Sequence, residues 1–165
     1  MWHSIWGDPE VIWWGHQRRV ADSALALAGL MNRISAMPPG MGWWMLLDRT
    51  TGATIGDAVL QPAPVPEGEI EIGWHLARDH WGKGYGSESA GAVLEHGLIS
   101  LAIERIVATI MPDNHRSIAL AERIGMRRVP GSWQRGGLAH GVWEVRKATD
   151  PGSVYPGQTD RGVSS

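Results

Sequence analysis

Three features of the chain predict an α/β fold in which helices flank a mixed, mostly antiparallel sheet. Residues 69–77, EIEIGWHLA, alternate with period two, placing Ile70, Ile72, Trp74 and Leu76 on one face and Glu69, Glu71, Gly73, His75 and Ala77 on the other. The stretch WGKGYGSE at 81–88 then leads into Ala90, Val93, Leu94, Gly97, Leu98 and Leu101, whose spacings of three and four make one apolar helical stripe. The run IVATIM at 106–111 is apolar at nearly every position, as expected of a central strand covered on both faces and lying parallel to strand 69–77.

The remaining elements follow in order. A short helix is predicted near 2–8 and a long one near 16–35, with Val20, Ala24, Leu27, Met31 and Ile34 on one stripe and Pro38, Pro39 and Gly40 ending it. Strands near 42–47 and 54–61 are joined by a turn from Asp48 to Gly52, and a loop containing Pro62, Pro64 and Pro66 leads to strand 69–77, completing an antiparallel meander. A helix starts near Asn114, a favourable cap, and ends before Gly125, which can adopt the left-handed conformation that closes a helix. Strands near 126–131 and 140–147 finish the fold. Residues 1–150 therefore read as one domain, and 151–165, rich in Gly, Ser, Pro and Asp without periodicity, as a disordered tail.

Composition narrows the classes of function. A chain of 165 residues with 43% hydrophobic content suffices for one core, and a net charge of −2 provides no global attraction to nucleic acid or anionic membrane. No apolar run approaches a membrane span and the N-terminal segment has no secretory pattern, so the expected location is cytoplasmic. The absence of cysteine excludes thiolate metal sites and thiol nucleophiles, and the histidines show no metal-ligand spacing. Ten tryptophans beside no phenylalanine, and Lys83 and Lys147 as the only lysines, fit a genomic base-composition bias better than a stacking surface.

Gly82, Gly84 and Gly86 sit between a strand and a helix, where backbone amides and the positive end of a helix dipole can converge on an anion. A magnesium-nucleotide loop would need Ser or Thr after Lys83, where Gly84 stands, and a dinucleotide loop would need glycine at Ser87. Residues 81–86 instead resemble the coenzyme loop of the GCN5-related N-acetyltransferases (GNAT), with Trp81 where Gln or Arg is usual. That variant, together with WGDPEV at 6–11, EIGWHL at 71–76 and PDNHRSIALAERIGM at 112–126 in the same order, is similar to the branch that acetylates N-termini of ribosomal proteins.

The resemblance implies an N-acetyltransferase that uses acetyl-CoA, held by backbone amides at His75, Leu76 and Ala77 and by Gly82, Lys83, Gly84, Tyr85, Gly86, Ser87 and Asn114. Tyr85 is expected to pack its ring under the helix. Acetyl transfer needs a neutral amine; at pH 7 freeing the lone pair of an ordinary side-chain-type amine costs about 4.6 kcal/mol, against roughly 1 kcal/mol for an α-amine. Glu71 is the candidate base, with a solvated strand residue or a cross-strand ion pair as its structural alternative and His75 as a substitute. Many relatives protonate the departing thiolate from a tyrosine at the position of Ala121. The donor implied here is Ser117, beside Asn114, with helix capping as the alternative role of both residues.

Trp13 and Trp14 are candidate acceptor-pocket residues, and the acceptor itself is a protein N-terminus or a small-molecule amine. Family members usually begin with an edge strand ahead of the first helix. Its apparent absence would expose the edge of strand 42–47 and favour a homodimer. The competing readings are a non-catalytic acyl-CoA-binding protein and a tryptophan-rich ligand-binding module.

Overall fold

The computed structural model describes residue 5 and residues 8–12, 23–63, 68–135 and 137–147. Within them are helices α1 (Pro9–Ile12) and α2 (Ser23–Ser35), strands β1 (Gly42–Leu47), β2 (Thr54–Pro62) and β3 (Ile70–Leu76), helix α3 (Tyr85–Glu95), strand β4 (Arg105–Ile110), helix α4 (His115–Arg123) and strands β5 (Arg127–Arg135) and β6 (Leu138–Arg146). The strands form one sheet of order β1-β2-β3-β4-β6-β5, in which only β3 and β4 are parallel. The mixed, mostly antiparallel sheet with a central parallel pair is the architecture expected from the sequence.

Side-chain alternation divides the core between two faces. On one, Leu60, Ile72, Ile106, Ala108, Trp143 and Val145 pack against Ala90, Leu94 and Leu98 from the α3 segment and Ala121 and Ile124 from the α4 segment. Leu60, Ile72, Leu98 and Ile106 are among the largest fully buried side chains, each stabilising the fold by roughly 1.5–3 kcal/mol through removal of apolar surface from water.

The apolar stripe after the glycine loop is continuous as expected, but the α-helix ends at Glu95 and residues His96–Ser100 form a wider π turn. Helix α4 begins after Asn114, and Gly125 takes φ +87° to close it. In the other direction, α2 corrects the predicted stripe: Met31 is exposed and only Ile34 is half-buried among its described side chains. The predicted helix near 2–8 and the N-terminal part of the long helix fall largely outside the described residues, as does the 151–165 segment. Among the described residues β1 is an edge of the sheet. No described helix is long and apolar enough to cross a membrane.

The second face overturns the sequence picture of β3. Its nominally polar side is buried: Glu71 and His75 are 4% and 8% exposed, and Asp57 on the adjacent β2 and Glu144 on β6, beyond β4, are similarly enclosed. Burial of charge requires counter-charges. Arg105 donates to Glu69 and to Glu144 (2.6 Å), Arg146 donates to Glu144 (3.2 Å), and Arg135 donates to Glu71 (2.7 Å).

Burial pushes the Glu144 carboxyl up, but hydrogen bonds from Arg105 and Arg146 and their charges outweigh it and hold the group below its ordinary value of 4.5. A depressed folded-state value contributes stability above the unfolded value, and that contribution is lost as pH falls through the folded one. Arg105→Met is therefore expected to destabilise the protein near neutral pH, with the difference shrinking as pH falls below 4.5 and through the lowered folded-state value of Glu144. Denaturant unfolding at neutral and acid pH checks this; a difference independent of pH would contradict it.

Candidate functional site

β3 and β4 pair only at Ile70↔Ile106 and Glu71↔Val107, whereas β3 stays paired with β2 through Gly56↔Leu76. Beyond Glu71 the parallel strands therefore diverge and open a gap in the middle of the sheet. The Ala63 amide donates to Glu69 O (2.8 Å) and the Ala77 amide to Ile55 O (3.0 Å), which fixes the odd-numbered backbone groups of this strand toward β2. The amides and carbonyls of Trp74 and Leu76 consequently face the gap. This corrects the expectation for His75 to Ala77: the Ala77 amide is engaged by β2, and of those three residues only Leu76 presents its backbone to the opening.

The glycine loop closes one end of the gap. Gly82 and Gly84 adopt φ +72° and +86°, left-handed values that disfavour a side chain, and Gly84 is the residue preceding the first turn of α3. The first amide bonded within that turn is Glu88 N–H to Gly84 O (3.0 Å), so the amides of Tyr85, Gly86 and Ser87 precede the helical ladder. Gly86 matters for packing instead. A Cβ there would lie 2.6 Å from Leu120 and 2.9 Å from Leu76, so its absence lets α4 and β3 close on the first turn.

Tyr85 is half-buried, with its hydroxyl 3.4 Å from Asp48 Oδ2 and its ring near His80, which directs it to the β1–β2 turn instead of under the helix. Lys83 is exposed and does not line the cleft.

α4 forms the opposite wall. Asn114 Oδ1 accepts from the Ser117 backbone amide at 3.2 Å, so Asn114 caps the helix while both residues face the cleft. Among the described residues no hydrogen bond involves the Ser117 hydroxyl. Ala121 is fully buried in the core, away from this wall.

The cleft encloses about 380 Å³ and brings together His75, Leu76, Gly82, Gly84, Gly86, Ser87, Asn114 and Ser117. It also contains groups that sequence reasoning missed. Arg116 lies over the Trp81 ring (4.3 Å to its centroid), and Arg123 donates to Ser87 Oγ (3.2 Å). Their seven-residue spacing puts both guanidinium groups on one side of α4, a legible signal. Trp81 itself donates its indole N–H to Leu76 O (2.8 Å), pinning the loop to the end of β3.

Glu71 lies at the closed end of the gap, opposite Val107, and does not line the cleft. Its carboxylate accepts from Thr109 Oγ1 and from Arg135, so the side chain forms the cross-strand ion pair that was its structural alternative. His75, by contrast, reaches the cleft and has Nδ1 2.6 Å from Asp57 Oδ1. Trp13 and Trp14 lie outside the described residues. Among the described residues there is no group of three or more side chains suited to hold a metal.

These features fit a coenzyme with a phosphorylated end and an amide-bearing tail. The α3 amides and the two guanidinium groups suit anionic oxygens, and the exposed backbone of β3 suits amide hydrogen bonding. A family profile described as Acetyltransferase (GNAT) domain matches residues 1–127. The chain belongs to the GNAT acetyltransferase family. It is 38% identical over 117 residues to the uncharacterized protein YkkB of Bacillus subtilis (strain 168), covering 70% of this chain and 60% of that one. It is 29% identical over 134 residues to the uncharacterized N-acetyltransferase p20 of Bacillus licheniformis, covering 74% and 70%. The crystal structure of an acetyltransferase from Agrobacterium tumefaciens str. C58 superposes with a TM-score of 0.58 at 31% identity, over 66% of this GNAT chain and 62% of that one. The chain thus spans less than two thirds of the length of YkkB and of the Agrobacterium protein.

Proposed function

We propose that the protein transfers acetyl from acetyl-CoA directly to an amine, either a protein N-terminal α-amine or a small-molecule amine. The observation that carries this reading is the divergence of β3 and β4 into a cleft whose far end is the Gly82–Ser87 loop and whose wall holds Ser117. Acetyl-CoA supplies an activated thioester. Amides of Gly86 and Ser87, with Arg116 and Arg123, hold its phosphates, and the Trp74 backbone with the Leu76 amide holds its pantetheine amides by extending the β3 edge. Ser117 provides the proton for the departing thiolate, and Asn114 keeps the first turn of α4 in place around it.

The motifs WGKGYG and EIGWHL favour the branch that acts on ribosomal-protein N-termini. The test is release of free thiol from acetyl-CoA with a panel of amines: N-terminal peptides of ribosomal proteins, a polyamine, an aminoglycoside and free amino acids. Stoichiometric acetyl-amide with at least one of them supports the proposal. Coenzyme binding with no transfer to any of them would favour the non-catalytic acyl-CoA-binding alternative.

A further inference from the structure

We infer that Trp81 is a positioning residue for the coenzyme: its ring holds Arg116 of α4 in the cleft with its charge uncompensated, in place for the phosphate-bearing half of acetyl-CoA. The inference rests on the acetyl-transfer reading above. Three contacts fix the ring. Its indole N–H donates to Leu76 O at 2.8 Å, its surface packs against the buried pair Ile5 and Val11, and the Arg116 guanidinium carbon lies 4.3 Å from its centroid. The carbonyl that receives the indole is itself immobilised, because the other side of the same peptide unit, the Ala77 amide, donates to Ile55 O beside β2 (3.0 Å). Trp81 is therefore anchored to the end of β3 and not to the glycine loop alone.

The way Arg116 is held differs from the way arginines are held elsewhere in the fold. Arg105, Arg135 and Arg146 each donate to a buried carboxylate, and Arg78 pairs with Glu10 (3.1 Å), so each of those positive charges is neutralised within the protein. Both arginines that line the cleft are held by neutral groups instead, Arg116 by the Trp81 ring and Arg123 by Ser87 Oγ (3.2 Å). An aromatic face attracts a cation through its quadrupole and adds no negative charge. Among the described residues the Arg116 guanidinium has no carboxylate or hydrogen-bonding partner, and the residue is exposed.

This arrangement serves binding in a way that an ion pair would not. An exposed arginine without support samples many rotamers, and ordering it on a ligand opposes association. A carboxylate support would order the side chain but would also compete with phosphate for its N–H donors. The Trp81 face orders the cation and leaves those donors to the ligand.

The test is a set of dissociation constants on the full chain, read by displacement of a fluorescent coenzyme A analogue. Two ligands are compared: acetyl-CoA, and S-acetylpantetheine, which has the thioester and both amides but no phosphate. Arg116→Gln is made in three backgrounds, wild type, Trp81→Phe and Trp81→Leu. For acetyl-CoA it is expected to weaken binding about tenfold on tryptophan, about threefold on phenylalanine, whose smaller ring lacks the N–H anchor, and within about twofold on leucine. For S-acetylpantetheine it is expected to change affinity within about twofold in every background.

An equal cost of Arg116→Gln in the wild type and both Trp81 backgrounds would overturn the inference, since Arg116 would then act without the ring. An equal loss with S-acetylpantetheine would overturn it by removing the phosphates from the contact, and so would acetyl-CoA affinity within about twofold of wild type in Arg116→Gln alone. Should Trp81→Leu fail to fold, the step from tryptophan to phenylalanine gives the same decision. Failure of the underlying reading is distinguishable, since it appears in the wild type itself, as a protein that binds no coenzyme or acetylates no amine of the panel.

Discussion

Gly84→Glu is expected to lower affinity for acetyl-CoA by at least about a hundredfold while leaving the protein folded. Two effects are separate. The residue holds φ +86°, where a side chain costs roughly 1–3 kcal/mol of backbone strain. The new carboxylate would also stand beside the α3 amides at the place proposed for anionic phosphate, and like charges in contact cost several kcal/mol. The strain is borne by free and bound protein alike and lowers stability, whereas the several kcal/mol of repulsion act on binding; since about 1.4 kcal/mol is a tenfold change in affinity, the repulsion alone amounts to about two decades. A Cβ at this position meets no heavy atom within 4 Å, so the effect on the fold is confined to local strain. Circular dichroism and thermal melting would confirm the folded state, and calorimetry would read the affinity. A variant that binds within threefold of wild type would remove the loop from the coenzyme site.

Ser117→Ala is expected to reduce kcat by about a hundredfold, the scale of a lost general acid, with little change in thermal stability. The separation follows from which atom does what. The cap to Asn114 uses the Ser117 backbone amide, which alanine retains, whereas proton donation uses the hydroxyl. Asn114→Ala is the complementary experiment: it removes the cap and is expected to cost about 1 kcal/mol of stability. Steady-state kinetics and denaturant unfolding on both variants decide the matter. Unchanged turnover in Ser117→Ala would assign the proton to water.

How much of the fold and the site was legible in the sequence depended on the range of the interaction involved. Strand β3, the loop and the capped helix α4 are local patterns: period-two alternation, glycines between strand and helix, Asn114 at the start and Gly125 at the end. Each appears near its expected position. The buried charge on β3 was not legible, because alternation identifies two faces without saying what covers them. Arg135, which neutralises Glu71, is 64 residues away on β5, and Asp57, which faces His75, is placed by the β2–β3 register across a proline-containing connection.

Backbone commitments were also hidden. The pleat decides that Leu76 rather than Ala77 faces the gap, and only the partner strand sets the pleat. Helix α3 shows the same limit in another form: the apolar stripe ran on through Leu98, which is buried, but its spacing did not reveal that residues His96–Ser100 form a π turn.

The divergence of β3 and β4, with the loop at its end, is proposed above to make an acetyl-CoA site. Isothermal titration of the wild-type protein with acetyl-CoA tests this most directly. Saturable binding at one site per chain is the expected result, with the heat lost in Gly84→Glu. A verified folded sample that gives no binding heat and no competition with a fluorescent coenzyme A analogue would contradict it.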